Sequence, residues 1–157
     1  MQAGAAQGIR RVGTYAMKSL RLEKSYKGWG SELTTEISLV EADMLRFARK
    51  SGGYIGADVV ERKKNEGAPI HLVYCEVDAV DADPMGNEPA LSGDDIIGVT
   101  TSGGYGHTVH KSLAFAYVNS GYESAGSTFD IRILGERRKA TVLAQAAWDP
   151  ANERLKG

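Results

Sequence analysis

Cysteine is all but absent: Cys75 is the only one in 157 residues, which excludes an internal disulfide and an all-cysteine cluster for zinc or iron-sulfur. A reducing compartment suits such a chain, and the cytoplasm is its expected location. Excess charge is missing too. The 19 Lys and Arg are set against 20 Asp and Glu for a net of -1, so no global field draws the chain to nucleic acid or to an acidic membrane. No apolar run approaches the ~20 residues a membrane span needs, and the N-terminus carries no apolar signal-peptide core. Neither nucleic acid nor a membrane is therefore an expected partner, and a soluble protein is. What is present is 42% hydrophobic residues. That is enough for one domain, or one domain and a piece of another, burying roughly two thirds of the unfolded surface. Residues 1–8 are small and polar and are read as a tag or linker.

Ile9, Val12, Ala16 and Leu20 fall at spacings of three and four, which predicts an amphipathic helix from Ile9 to about Ser19. Leu20 and Leu22, with charged residues between and after them, then read as a short alternating strand. A second helix is predicted from about Gly56 to Glu66. Asp58 stands near its start, Val59 and Val60 follow, and Gly67 and Pro69 stop it. Past Pro69 the texture changes to short alternating runs over 70–77, 96–100, 112–118, 129–134 and 140–144, separated by Gly, Asp, Asn and Pro. Such spacing argues for a small antiparallel barrel or sandwich. In the third of these runs, Leu113, Phe115 and Tyr117 alternate with Ala114, Ala116 and Val118, so both faces are apolar and both should be covered. Leu134 to Lys139, with Gly135, reads as a hairpin turn. The predicted fold class is α+β: a partial α/β segment over 9–68, then a small antiparallel all-β domain, barrel or sandwich, over 69–157.

Several residues carry candidate chemistry. The stretch from Thr101 to Thr108 is rich in glycine and hydroxyls and reads as a tight turn between strands, with an anion-binding loop as the alternative; it fits neither phosphate-binding nor dinucleotide fingerprints. His107 and His110 sit three apart, a metal-ligand spacing on a helix but not on a strand, where the two side chains diverge. Cys75 has no activating base nearby and reads as a buried structural thiol. Arg137, Arg138 and Lys139 read as a solvated hairpin tip, or as a receiver for a polyglutamyl tail. Glu23, Glu32, Glu36 and Glu41 are interleaved with Tyr26 and Trp29. Solvated surface carboxylates are one reading; a buried carboxylate accepting two parallel hydrogen bonds from a guanidine-like edge, as a pterin presents, is the other.

Resemblance carries the reading further. Ser19-Leu20-Arg21-Leu22-Glu23-Lys24, Trp29-Gly30-Ser31-Glu32-Leu33 and Glu41-Ala42 resemble the S-L-R-L-E-x, G-x-E-L and E-A series of the aminomethyltransferase (glycine-cleavage T-protein) superfamily. Tyr54-Ile55-Gly56 is similar to its F-I-G step. Gly98 to Gly106 and Lys111 to Val118 resemble its barrel signatures G-x-x-T-S-G and G-K-S-x-A-x-A-Y-V, and Trp148 to Leu155 its Y-D-P-x-N-x-R-L ending. The Ser-Gly-Gly-Tyr-Gly and Leu-Glu-Lys forms point to the dimethylglycine and sarcosine dehydrogenase branch.

The resemblance implies the C-terminal portion of a folate-binding domain followed by the C-terminal barrel, with tetrahydrofolate as cofactor and Glu23 at the position that holds the pterin. Glu23 is then expected in a cleft between the two parts, less solvated than Glu32 or Glu36. FAD is implied only with an upstream domain. The family's catalytic aspartate belongs to a segment upstream of this chain, so no catalytic residue is assigned and the chain alone is expected to be inactive. Expected partners are folate, the upstream part of the same enzyme and a second copy in a homodimer. Two points depart from the pattern: His110 stands where the family has glycine, and Arg46, Arg49 and Lys50 compete for a basic role toward folate. A free-standing noncatalytic barrel module and a folate-dependent demethylase of the same superfamily are the alternative functions.

Overall fold

The computed structural model describes residues 2–48 and 51–157. Among them six strands form a closed, wholly antiparallel barrel: β1 (Ile70–Val77), β2 (Pro89–Ser92), β3 (Asp95–Gly106), β4 (Lys111–Asn119), β5 (Thr128–Ile133) and β6 (Glu136–Val142). Their order is β1-β4-β3-β2-β5-β6, and β6 closes back onto β1 through Cys75↔Val142 and Val77↔Ala140. Closure removes the unpaired edges that an open sheet would expose.

Period-two alternation explains where the core lies. Val73, Cys75, Val77, Ala114, Ala116, Val118, Ile131 and Ile133 fill the barrel interior, with small alanines facing larger branched residues. The opposite face of β1 and β4, made of Leu72, Tyr74, Leu113, Phe115 and Tyr117, packs with Leu22 into a second cluster outside the barrel. Strand β4 is thus covered on both sides, as its sequence predicts.

That cover comes from α1 (Thr14–Glu23), and here the structure corrects the sequence. The expected strand at Leu20 and Leu22 is the last turn of this helix. Ser19, Leu22 and Glu23, spaced three and four apart, face the barrel, whereas Val12 and Leu20 are 73% and 56% exposed. The helix expected from Ile9 starts only at Thr14, so Ile9 and Val12 precede it, and its phase was set by the surface it lies on. Helix α2 (Ala57–Glu66) matches expectation and ends at Gly67, whose φ of 85° suits glycine. Gln2–Gln7, read as a tag or linker, form a 3-10 turn, and α3 is the short segment Glu153–Lys156. Among the described residues no helix is long and apolar enough to cross a membrane.

The turns differ in detail from expectation. Thr101 to Gly106 continue β3 rather than turn, and the chain reverses only over 107–110. The glycines serve contact: a Cβ at Gly106 would lie 3.0 Å from Glu23 Cγ, and one at Gly104 3.4 Å from Leu22 Cδ1. Their absence of side chain lets α1 lie on the strand. The β5–β6 hairpin turns on Leu134 and Gly135 alone, at φ 50° and 89°, the positive-φ pair of a two-residue hairpin. Arg137, Arg138 and Lys139 therefore belong to β6. Strand β2 was not anticipated, since four residues with Pro89 at the start carry too little alternation to read.

Candidate functional site

Three carboxylates are buried where the N-terminal residues meet the barrel, and their hydrogen bonds separate their roles. Glu32 is fully enclosed. Its Oε2 accepts from Arg21 Nη1 at 2.9 Å, the Gly28 N–H at 2.7 Å and Ser31 Oγ at 2.8 Å; its Oε1 accepts from Thr101 Oγ1 at 2.7 Å and Ser102 Oγ at 2.5 Å. Burial pushes this carboxyl up, and the hydrogen bonds from Ser102, Gly28, Thr101 and Ser31 outweigh it, so its pKa lies below the ordinary value. Glu41 accepts from the Ser38 N–H at 3.0 Å, from Ser38 Oγ and from Lys63 Nζ. Both carboxylates are filled by the protein itself, which marks them as structural.

Glu23 differs. It is 1% exposed, yet among the described residues its side chain receives one hydrogen bond, from the Thr108 N–H to Oε1 at 2.6 Å. A carboxylate offers about four acceptor positions, so Glu23 retains capacity that Glu32 and Glu41 lack. Its surroundings are well tied: Ser19 Oγ donates to the Tyr105 carbonyl at 2.7 Å, and the Trp148 N–H donates to the Glu23 carbonyl at 3.0 Å. The neighbouring Lys24 Nζ donates to the Asp149 carbonyl and to Asn152 Oδ1, each at 2.6 Å. Glu23 thus sits between α1, the β3–β4 turn and the C-terminal tail. The expectation that it is less solvated than Glu32 fails, because Glu32 is enclosed by its own ring of donors; Glu36 is exposed.

A groove of about 580 Å³ is lined by Lys24, Lys27, Arg46, Tyr26 and Phe47 among others, and Glu23 itself is not part of that lining. Burial pulls the Lys27 ammonium below its ordinary pKa, partly offset by Asp43. Arg46 places its guanidinium 4.9 Å from the Phe47 ring centroid. Of the basic residues that compete for a folate contact, Arg46 lines the groove, while Arg49 and Lys50 lie outside the described residues.

The other candidates are accounted for locally. Cys75 is enclosed, and burial pushes its thiol up to about 12, which leaves no thiolate at neutral pH. His107 meets Tyr105 edge to face at 5.1 Å. His110 holds φ 55° in the turn before β4, a left-handed position that explains a glycine preference there. Among the described residues no three His, Cys, Asp or Glu gather as metal ligands. Arg137 bonds the Gly93 carbonyl and Asp94, and Arg138 bonds Asp81, so two members of the basic run are engaged. Sequence reasoning missed the Glu32 knot. Its donors Thr101 and Ser102 are 69 and 70 residues away, and no local pattern announces them.

Comparison with known proteins identifies the family and the fold. The family profile of the glycine cleavage T-protein C-terminal barrel domain matches residues 71–149, and that of the GCVT N-terminal domain matches residues 1–51. Mitochondrial dimethylglycine dehydrogenase of Mus musculus is 37% identical over 159 residues, covering 99% of this chain and 18% of that protein. An aminomethyltransferase of Bacillus cereus (strain AH187) is 32% identical over 146 residues, covering 91% of this chain and 39% of that protein. The chain therefore spans less than half the length of these relatives. The crystal structure of glycine cleavage system aminomethyltransferase T from Bartonella henselae superposes with a TM-score of 0.85 at 20% identity, over 94% of this chain and 42% of that one. That likeness shows the fold.

Proposed function

The chain belongs to the aminomethyltransferase (glycine-cleavage T-protein) superfamily, and from that premise we propose that it is the C-terminal, folate-binding portion of a tetrahydrofolate-dependent one-carbon transfer enzyme of the dimethylglycine/sarcosine dehydrogenase type. Residues 9–68 are assigned to the folate-binding domain and 69–157 to the barrel. The observation that carries the reading is Glu23: a buried carboxylate with a single donor among the described residues, where buried Glu32 receives five and Glu41 three. An unsatisfied carboxylate held in a nearly dry position suits a ligand edge that presents parallel N–H donors, as the pterin of tetrahydrofolate does. Bound there, tetrahydrofolate supplies the nitrogen that accepts the one-carbon unit. Glu23 would hold and orient the pterin, the Thr108 N–H would keep the carboxylate aimed, and Arg46, Lys24 or Lys27 would face the anionic end of the cofactor.

The acid or base that moves a proton at the reacting nitrogen, and FAD where amine oxidation comes first, are assigned to an upstream part of the same enzyme. That partner would also cover Val12, Tyr15 and Leu20, with a homodimer as the competing occupant of the same face. The test is calorimetry of a stable reduced folate against the complete enzyme and its Glu23→Gln variant. Loss of a charge-assisted acceptor is expected to weaken binding by ~1.5 to 3 kcal/mol, or about 10- to 150-fold. Equal affinity for both proteins would remove Glu23 from the folate site.

A further inference from the structure

A cleft of about 740 Å³ opens where the β1–β2 connection leaves the barrel beside the start of β4 and the middle of β6. Glu23 is not among its lining residues, and it serves no part of the folate reading. Four carboxylates line it, and two of them are already matched: Glu76 pairs with Lys111, and Asp81 pairs with Arg138. Asp78 and Asp83 make no ion pair among the described residues, and the only cation left on the lining is Lys139, so the cleft keeps an excess of negative charge. An acidic lining alone defines no site. The second observation is Ser112, which is 3% exposed, lines the same cleft, and encloses an Oγ that finds no hydrogen-bond partner among the described residues. A buried hydroxyl without a partner is unfavourable unless something else satisfies it.

We propose that this cleft binds a small organic ammonium ion, whose N–H donors meet Ser112 Oγ and the carboxylates of Asp78 and Asp83. Those carboxylates are not gathered as metal ligands. A protonated amine answers both requirements at once: positive charge for the unmatched carboxylates and a donor for the hydroxyl, which can accept at two positions. A zwitterion would use the same ammonium contacts and offer its carboxylate to Lys139.

Backbone amide spectra of the ¹⁵N-labelled chain, titrated with butane-1,4-diamine and separately with glycine, test this. Saturable shifts at Ser112, Asp83 and their neighbours are expected with at least one of the two; the diamine alone marks a simple amine, glycine alone an amino acid. Ser112→Ala or Asp83→Asn should weaken binding at least tenfold, and because the second substitution removes no buried group it keeps the test open if the first perturbs folding. Tetramethylammonium at equal ionic strength carries the charge without N–H donors and should bind no more than weakly. Absence of saturable shifts with both ligands would leave Ser112 to an ordered water and overturn the proposal. Curves unchanged in both variants, or matched by tetramethylammonium, would overturn it equally.

Discussion

The barrel and the N-terminal residues solve the burial problem in opposite ways. In the barrel the enclosed side chains are apolar on both faces of β4: Ala114, Ala116 and Val118 inside, Leu113, Phe115 and Tyr117 outside. Before residue 68 the enclosed groups are mostly polar or charged, namely Ser19, Glu23, Glu32 and Glu41, while Val12, Tyr15 and Leu20 point outward at 73%, 82% and 56% exposure. The barrel is held by non-directional burial. The N-terminal part is held to it by a few directional hydrogen bonds plus the apolar contacts of Leu22 and Ile37. Apolar burial tolerates rearrangement, whereas a buried charge with its donors removed has no fallback.

The comparison breaks first at Phe115. Truncation to alanine empties a site shared by the barrel wall and α1, and should lower stability by ~3 to 5 kcal/mol in denaturant unfolding. A loss under ~1 kcal/mol would mean that the outer face of β4 is not core. Glu32→Ala is expected next, at ~3 kcal/mol, because it strands the Arg21 guanidinium and the hydroxyls of Thr101 and Ser102. Its signature is regional: hydrogen exchange should accelerate over 14–44 while β1 and β4 keep their protection, and uniform acceleration would erase the distinction between the two regions. The same knot has a pH signature. Glu32 and Glu41 have folded pKa values below 4.5, so the unfolded chain binds more protons in acid. Their contribution is complete above pH 4.5 and is lost as pH falls through the lower folded values. The smallest effect belongs to Leu20→Ser, within ~0.5 kcal/mol of the parent, since that side chain faces outward in this chain. A loss of 2 kcal/mol would show the face to be covered in solution.

Legibility followed the same divide. Strand β1 was predicted over 70–77 and is found as Ile70–Val77, because alternation with turn residues at both ends is a local signal. The doubly covered β4 was legible for the same reason. Strand β2 was not, having four residues. The Gly-rich run was read as a turn because glycine serves both turns and close approach, and only Glu23 and Leu22 resting on Gly106 and Gly104 distinguish the two. For α1 the residues gave the period but not the start: the stripe from Ile9 to Leu20 begins ahead of the helix, and the stripe from Ser19 to Glu23 is the one that meets the barrel. The polar stripe won because it carries partners for Tyr105, His107 and Thr108.

By itself, then, the sequence determined that residues after Pro69 make a small antiparallel all-β domain, because side-chain alternation and turn chemistry act over neighbouring residues, and its family resemblance selected a barrel over a sandwich. It also placed a carboxylate at position 23. Which of the carboxylates would keep a free acceptor was decided by tertiary structure alone. Glu32 is filled by hydroxyls 69 and 70 residues away, and among the described residues Glu23 is met by one amide 85 residues away, distances along the chain that only folding brings to hydrogen-bond length.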